Sequence, residues 1–170
     1  MTNERNRQVL FDFAAEEPLR GGRATHVMLS LKPIYLQRMR QGKKKYEYRR
    51  KFVRKPTIAF IYANDPVQAV CAKVEFDPPI IGPIEYISQI AESEREGGGK
   101  SILEYMAGLK EGYAIPVKEV YDIELVAASE LKKLRPQFRP PQSYIILDNF
   151  PELLSFLLQR PVIERLGRGT

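Results

Sequence analysis

The chain has 170 residues and a formal net charge of +6, with 27 Lys or Arg against 21 Asp or Glu, which suits one domain with appendages and points to polyanionic partners. No apolar run approaches the roughly 20 residues of a membrane helix and no signal-type segment opens the chain, so a cytoplasmic protein with no membrane association is expected. One cysteine, Cys71, and one histidine, His26, exclude an internal disulfide and a zinc site of the usual kind, and neither a metal nor another cofactor is expected.

Residues 1–24 show little periodicity and contain Gly21-Gly22, which predicts a flexible tail interrupted by the apolar cluster Val9-Leu10-Phe11-Asp12-Phe13. His26 to Leu31 reads as a buried first strand. Pro33 then suits the first turn of a helix that Gly42 ends. Tyr46 to Arg50, Thr57 to Ala63 and Val67 to Phe76 read as strands, the last two parted by the turn signal Asn64-Asp65-Pro66. In the last of these, alternation puts Val70, Ala72, Val74 and Phe76 on one face and Lys73 and Glu75 on the other. The spacing predicts helices from Ile84 to Glu94 and from Ser101 to about Leu109, with Gly97-Gly98-Gly99 as the break between them. A long extended stretch from Tyr113 to about Val126 carries Pro116, which argues for an edge or a bulge. Ser129 to Leu134 reads as a helical turn and Ser143 to Leu147 as the last strand. Pro151 and Pro161 each open a short helix. The expected division is a tail at 1–24, a domain at 25–148 and a short helical extension at 149–170. Strands that outnumber helices without regular alternation predict an α+β fold, a small mixed-sheet barrel of about six strands decorated by helices.

The run from Arg38 to Lys55 holds ten Lys or Arg and a single acid, Glu47, so it carries +9 in a chain that totals +6. In the strand at its centre Tyr46, Tyr48 and Arg50 share one face, and Lys45, Glu47 and Arg49 the other. Lys43, Lys45, Arg50, Lys51, Arg54 and Lys55, with Arg38 and Arg40, are candidates for phosphate contact. Tyr46 and Tyr48 could stack bases or join the core. Gly97-Gly98-Gly99-Lys100-Ser101 lacks the spaced first glycine of a phosphate loop and follows a helix rather than a strand, so that motif is rejected.

Gly42-Lys43-Lys44-Lys45-Tyr46-Glu47-Tyr48-Arg49 resembles the G-x-K-x-x-E-x-R signature of ASCH domains in the PUA-like superfamily. Leu29-Ser30-Leu31-Lys32-Pro33 upstream, and Gly112-Tyr113-Ala114-Ile115 and Pro140-Pro141-Gln142-Ser143-Tyr144 downstream, are similar to a prokaryotic branch labelled as predicted transcriptional regulators. The resemblance covers Thr25 to Asp148 and implies a PUA-like β-barrel with a cleft beside the signature loop and a role in nucleic-acid binding. Some ASCH proteins are amidohydrolases acting on N4-acetylcytidine, which use a lysine at the position of Lys44, a threonine at that of Glu47 and a further glutamate. Lys44 matches and Glu47 departs, since a carboxylate can act as a base but does not replace an activated hydroxyl nucleophile. Glu85, Glu92, Glu94 and Glu104 are all candidates for the further glutamate.

Two classes of function follow. In the first, the chain is a binding module for RNA or single-stranded nucleic acid, with a possible regulatory role. Its ligand-binding residues are Lys32, Lys43, Lys44, Lys45, Tyr46, Glu47, Arg49, Arg50, Gln142, Ser143 and Tyr144. Lys44 and Arg49 bind an anionic or carbonyl oxygen, while Glu47 accepts hydrogen bonds from a base edge. In the second, the chain is an amidohydrolase or nuclease acting on a modified nucleoside or RNA, with Lys44 and Glu47 as the catalytic pair. The amino-terminal tail and the carboxy-terminal helix are candidates for a protein partner. His26 and Cys71 are expected to be structural.

Overall fold

All seven residues of Thr57–Ala63 (β3) are buried, and the sheet forms around this strand. The computed structural model describes residues 24–166; the tail expected at the amino terminus lies outside the described residues, Ala24 apart. Thr25–Leu31 (β1) runs parallel to β3, in register from Thr25 against Thr57 to Leu31 against Ala63. Parallel neighbours need a crossover, here built from Pro33–Arg40 (α1) and Tyr46–Arg49 (β2). Ala69–Phe76 (β4) returns antiparallel to β3, and the 17-residue Glu111–Ala127 (β6) pairs with β4. With Tyr144–Ile146 (β7) on the free side of β1, the order is β2-β6-β4-β3-β1-β7, a mixed sheet that curls into a half-barrel.

Apolar side chains fill both faces of this sheet, which is why β3 reads as an unbroken hydrophobic run. On one face Val27, Leu29, Ala59, Ile61, Val74 and Ile115 pack with Leu36 and Met39 of α1. On the other, Met28, Phe60, Tyr121 and Val126 lie under Ala128–Leu134 (α4) and Pro151–Leu158 (α5). A third cluster, around Ile87, Ala91, Ile102 and Met106, joins Ile84–Glu94 (α2) and Gly98–Tyr105 (α3) to Tyr46 and Tyr48. No described helix is long and apolar enough to cross a membrane.

The α+β expectation holds, and the helix over 33–40 and the helix over 84–94 fall where the spacing put them. Other details differ. Ile80–Pro83 (β5) and Val162–Leu166 (β8) are additional strands, both paired antiparallel with β6. Pro83 ends β5 and Pro161 precedes β8, and proline is tolerated at strand ends as well as at helix starts. The extension at 149–170 is therefore a helix followed by a strand across its described part. The second helix of the pair starts at Gly98 rather than Ser101, because its glycines lie against α2. Val70 leaves the face of Ala72, Val74 and Phe76 for the opposite cluster, as the β4–β6 register shifts between Val70 and Ala72. A bulge of this kind reverses the alternation. A second shift, opposite Val117 to Glu119, follows directly after Pro116.

Lys73, in the middle of β4, is 2% exposed. Its ammonium lies 5.4 Å from the Tyr121 ring centroid, and burial pushes its pKa down to about 8 from the ordinary 10.5. Since the folded value lies below the unfolded one, the unfolded chain binds more protons between these limits. The resulting cost is complete below pH 8 and fades as pH rises towards 10.5. Lys73→Met is expected to stabilise the fold by about 1–3 kcal/mol at pH 7, and by much less at pH 10. Urea unfolding at the two pH values measures this; equal differences at both would contradict it.

Candidate functional site

Gly42 ends α1 with φ +70, a backbone conformation that glycine adopts without strain. The N–H groups of Lys43 and Lys44 both donate to the Arg38 carbonyl, at 2.9 and 3.0 Å. This tight turn delivers Lys44 to the start of β2, where Glu47 and Arg49 project together from one face. Glu47 is buried, its side chain 8% exposed, beside a Lys44 side chain that is 11% exposed. Arg49 Nε donates to Glu47 Oε1 at 3.0 Å, and Lys44 Nζ stands 3.5 Å from Oε2. Oε2 has no hydrogen-bond partner among the described residues.

The Arg49 guanidinium is held on three sides. Besides Glu47, it donates to Ser143 Oγ at 3.2 Å and to the Ser30 carbonyl at 3.1 Å. Ser30 in turn donates its hydroxyl to the Pro141 carbonyl at 2.6 Å. The proline-stiffened loop before β7 is thereby tied to the signature strand through Arg49.

On the other side of Lys44, the last turn of α2 brings in Glu94. Its Oε2 accepts the Lys45 and Tyr46 N–H groups at 2.6 and 3.1 Å, and its Oε1 accepts the Tyr48 hydroxyl at 3.3 Å. Burial, and then the Glu94 carboxylate, push the Tyr48 phenol far above its ordinary pKa, so the phenol stays a neutral donor. Lys44 Nζ sits 5.0 Å from the centroid of the Tyr48 ring and 5.5 Å from that of Tyr35.

These groups border a cavity of ≈ 440 Å³ between the sheet and the α2–α3 pair, whose lining includes Ser30, Lys32, Tyr35, Arg38, Lys44, Glu47, Tyr48, Arg49, Glu94, Arg95 and Tyr105. Five cationic side chains and two carboxylates make it a basic hollow with a buried acceptor. That combination can hold an anionic oxygen and receive a hydrogen bond within a few ångströms.

Of the residues singled out from sequence, Lys32, Arg38, Lys44, Glu47, Tyr48 and Arg49 line this cavity, and Ser143 joins them through Arg49. Lys45 and Tyr46 face a smaller hollow of ≈ 180 Å³ with Asp77 and Lys118. Lys43 and Gln142 are exposed outside the cavity lining. Arg50 is drawn away, donating to the Tyr105 carbonyl at 2.9 Å with its guanidinium over that ring. Tyr144 packs edge-on against Phe52, 4.9 Å between centroids. Arg40 is paired with Asp122 at 2.8 Å and Arg54 with Glu111 at 3.4 Å, which thins the expected phosphate patch. His26 contacts Asp148 through its backbone and its ring. Among the four candidate glutamates, Glu94 reaches the cavity, while exposed Glu92 accepts the N–H groups of Gly97 and Gly99. Tyr35 was not among the expected site residues. Its spacing of three from Arg38 on one helix could have pointed to it, since such residues share a face. Among the described residues no three His, Cys, Asp or Glu side chains gather as metal ligands.

No family model matches the chain. An ASCH domain-containing ribonuclease of Zymomonas mobilis is 25% identical over 119 residues, which span 68% of this chain and 80% of that protein. A crystal structure of ASCH from Zymomonas mobilis is similar with a TM-score of 0.65 at 24% identity, over 77% of this chain and 94% of that one. A serine-to-alanine variant of the Zymomonas mobilis ASCH protein gives 0.69 at 23% identity, over 79% of this chain and 94% of that one. These likenesses show that the chain has the fold of the Zymomonas mobilis ASCH structures, a mixed α+β fold built on a curled sheet.

Proposed function

We propose that the chain cleaves RNA in this cavity, and is more than a binding module of the regulatory kind. The description of its relative as a ribonuclease supports this. The observation that carries it is Glu47, a residue of the cavity lining whose buried Oε2 lacks a hydrogen-bond partner among the described residues and lies 3.5 Å from the Lys44 ammonium. A buried acceptor left without a donor is costly, and a hydroxyl attacking a phosphodiester supplies that donor.

In this chemistry Glu47 takes the proton of the attacking hydroxyl as the new oxygen–phosphorus bond forms. Lys44 neutralises the charge that gathers on the phosphate oxygens while the bond to the leaving oxygen breaks, and that oxygen takes a proton from solvent. Arg49, engaged on three sides, holds the base in place. Lys32, Arg38 and Arg95 at the cavity, with exposed Lys43, Lys45, Lys51 and Lys55 beyond it, take neighbouring phosphates without reading sequence.

The test is incubation of a labelled RNA oligonucleotide with the protein, in magnesium and in EDTA buffers, beside N4-acetylcytidine as the alternative substrate. RNA is expected to shorten, and Lys44→Ala to slow it by about 10²–10³-fold, the cost of losing one charge-stabilising donor. Affinity for a non-cleavable RNA falls as salt rises, by about 0.7 log units per phosphate neutralised for each tenfold increase. Intact RNA with deacetylated nucleoside would assign the site to amidohydrolase chemistry. Intact RNA and intact nucleoside would leave binding alone.

A further inference from the structure

Lys44 is the one member of the Lys44–Glu47–Arg49 set that the hydrogen bonds described above do not orient. Its long side chain has four rotatable bonds and would cost about 2 kcal/mol in rotamer entropy to hold still. Two aromatic rings stand where such a restraint is needed. Tyr48 supplies one, its hydroxyl anchored on Glu94 and its centroid 5.0 Å from Nζ. Tyr35 supplies the other at 5.5 Å, from the first turn of α1, where Pro33 starts the helix and the Tyr35 N–H donates to the Lys32 carbonyl at 3.0 Å. Both distances are within the reach of a cation–π contact. With Glu47 Oε2 at 3.5 Å, the ammonium has an anion on one side and two ring contacts from different elements.

We propose that Tyr35 is a positioning residue, its ring completing a two-tyrosine clasp that holds the Lys44 ammonium against Glu47. Tyr35 is 39% exposed, so shortening it removes a contact at the cavity rather than a piece of the core. The ring, not the hydroxyl, carries the function, since a cation–π contact is made by the aromatic face. Any effect on turnover rests on Lys44 and Glu47 acting on RNA as proposed above; the clasp itself does not.

The experiment therefore has two arms, applied to Tyr35→Leu and Tyr35→Phe. In the first, an amine-selective acetylating reagent is added and modification of Lys44 is followed by mass spectrometry. Tyr35→Leu is expected to speed that modification several-fold, and Tyr35→Phe to leave it at the wild-type rate. In the second, RNA cleavage is resolved into kcat and KM. Tyr35→Leu is expected to lower kcat about tenfold with KM little changed, the effect of about one cation–π contact, and Tyr35→Phe to restore it. An unchanged Lys44 modification rate in Tyr35→Leu overturns the clasp. A raised KM with unchanged kcat also overturns it, because the ring would then be a substrate contact. If the wild-type protein leaves RNA intact, the cleavage proposal falls and the labelling arm still decides the clasp.

Discussion

Glu47→Gln is expected to lower RNA cleavage by about two to four orders of magnitude, the usual contribution of a positioned base, while RNA affinity holds or rises. The amide keeps the shape of the carboxylate and an oxygen for Arg49 Nε, now 3.0 Å from Oε1. It cannot take a proton at the other position. It also removes one of two negative charges from a cavity lined by Lys32, Arg38, Lys44, Arg49 and Arg95, so a phosphate meets a more positive field. The same substitution leaves two neighbouring cations with less compensation. For a fully buried pair that loss runs to about 3–5 kcal/mol; here the cavity admits solvent, and about 1–3 kcal/mol is expected. Initial rates, anisotropy with a non-cleavable RNA and urea unfolding separate the three effects. Cleavage within tenfold of wild type in a folded Glu47→Gln protein removes Glu47 as the base.

Gly98→Ala is expected to be among the most destabilising single-methyl changes in the described fold. A Cβ at Gly98 would stand 2.6 Å from the Ala91 carbonyl oxygen, and one at Gly99 2.9 Å from that of Ser88. Both obstacles are backbone atoms of α2 and cannot rotate aside, so α3 must lift from α2. Overpacking of this kind costs about 1–3 kcal/mol. Gly97 gives the internal comparison: φ is +80 there, but nothing lies within 4 Å of an added Cβ. Gly97→Ala therefore meets only the backbone penalty, about 1 kcal/mol. The effect reaches the site because Glu94 sits on the last turn of α2 and grips the Lys45 and Tyr46 N–H groups. Gly98→Ala is thus expected to lower both the unfolding midpoint and RNA cleavage, with Gly97→Ala closer to wild type in both. Equal stability of the two variants would show that the helices have room the geometry denies them.

Where local chemistry decides the outcome, the sequence was readable. Pro33 and Gly42 bracket α1 because each suits one end of a helix, and the alternation of Tyr46 to Arg49 put Glu47 and Arg49 on one face, where they meet. The G-x-K-x-x-E-x-R spacing pointed to the strand whose residues border the cavity. What stayed hidden depends on distant packing. Glu94 could not be chosen over Glu85, Glu92 and Glu104, because its role follows from how α2 lies across β2. Glycines at 98 and 99 read as helix breakers, yet they are in the helix because α2 leaves no space for side chains. The change of face at Val70 comes from a bulge with no residue signal of its own. Pro161 is equally at home before a helix or before a strand, and the edge offered by β6 decided for β8. Arg40, Arg50 and Arg54 looked like free cations and are instead engaged by Asp122, Tyr105 and Glu111.

The proposed function turns on Glu47 Oε2, and carbon-detected NMR of the glutamate carboxyls reads it directly. During titration with a 2′-O-methyl RNA, the Glu47 carboxyl carbon and the Lys44 side chain are expected to shift together and saturate at one ligand concentration, ahead of Lys51 and Lys55. If the shifts gather on Lys51 and Lys55 while Glu47 and Lys44 stay still at saturation, RNA does not enter the cavity and the proposed active site is wrong.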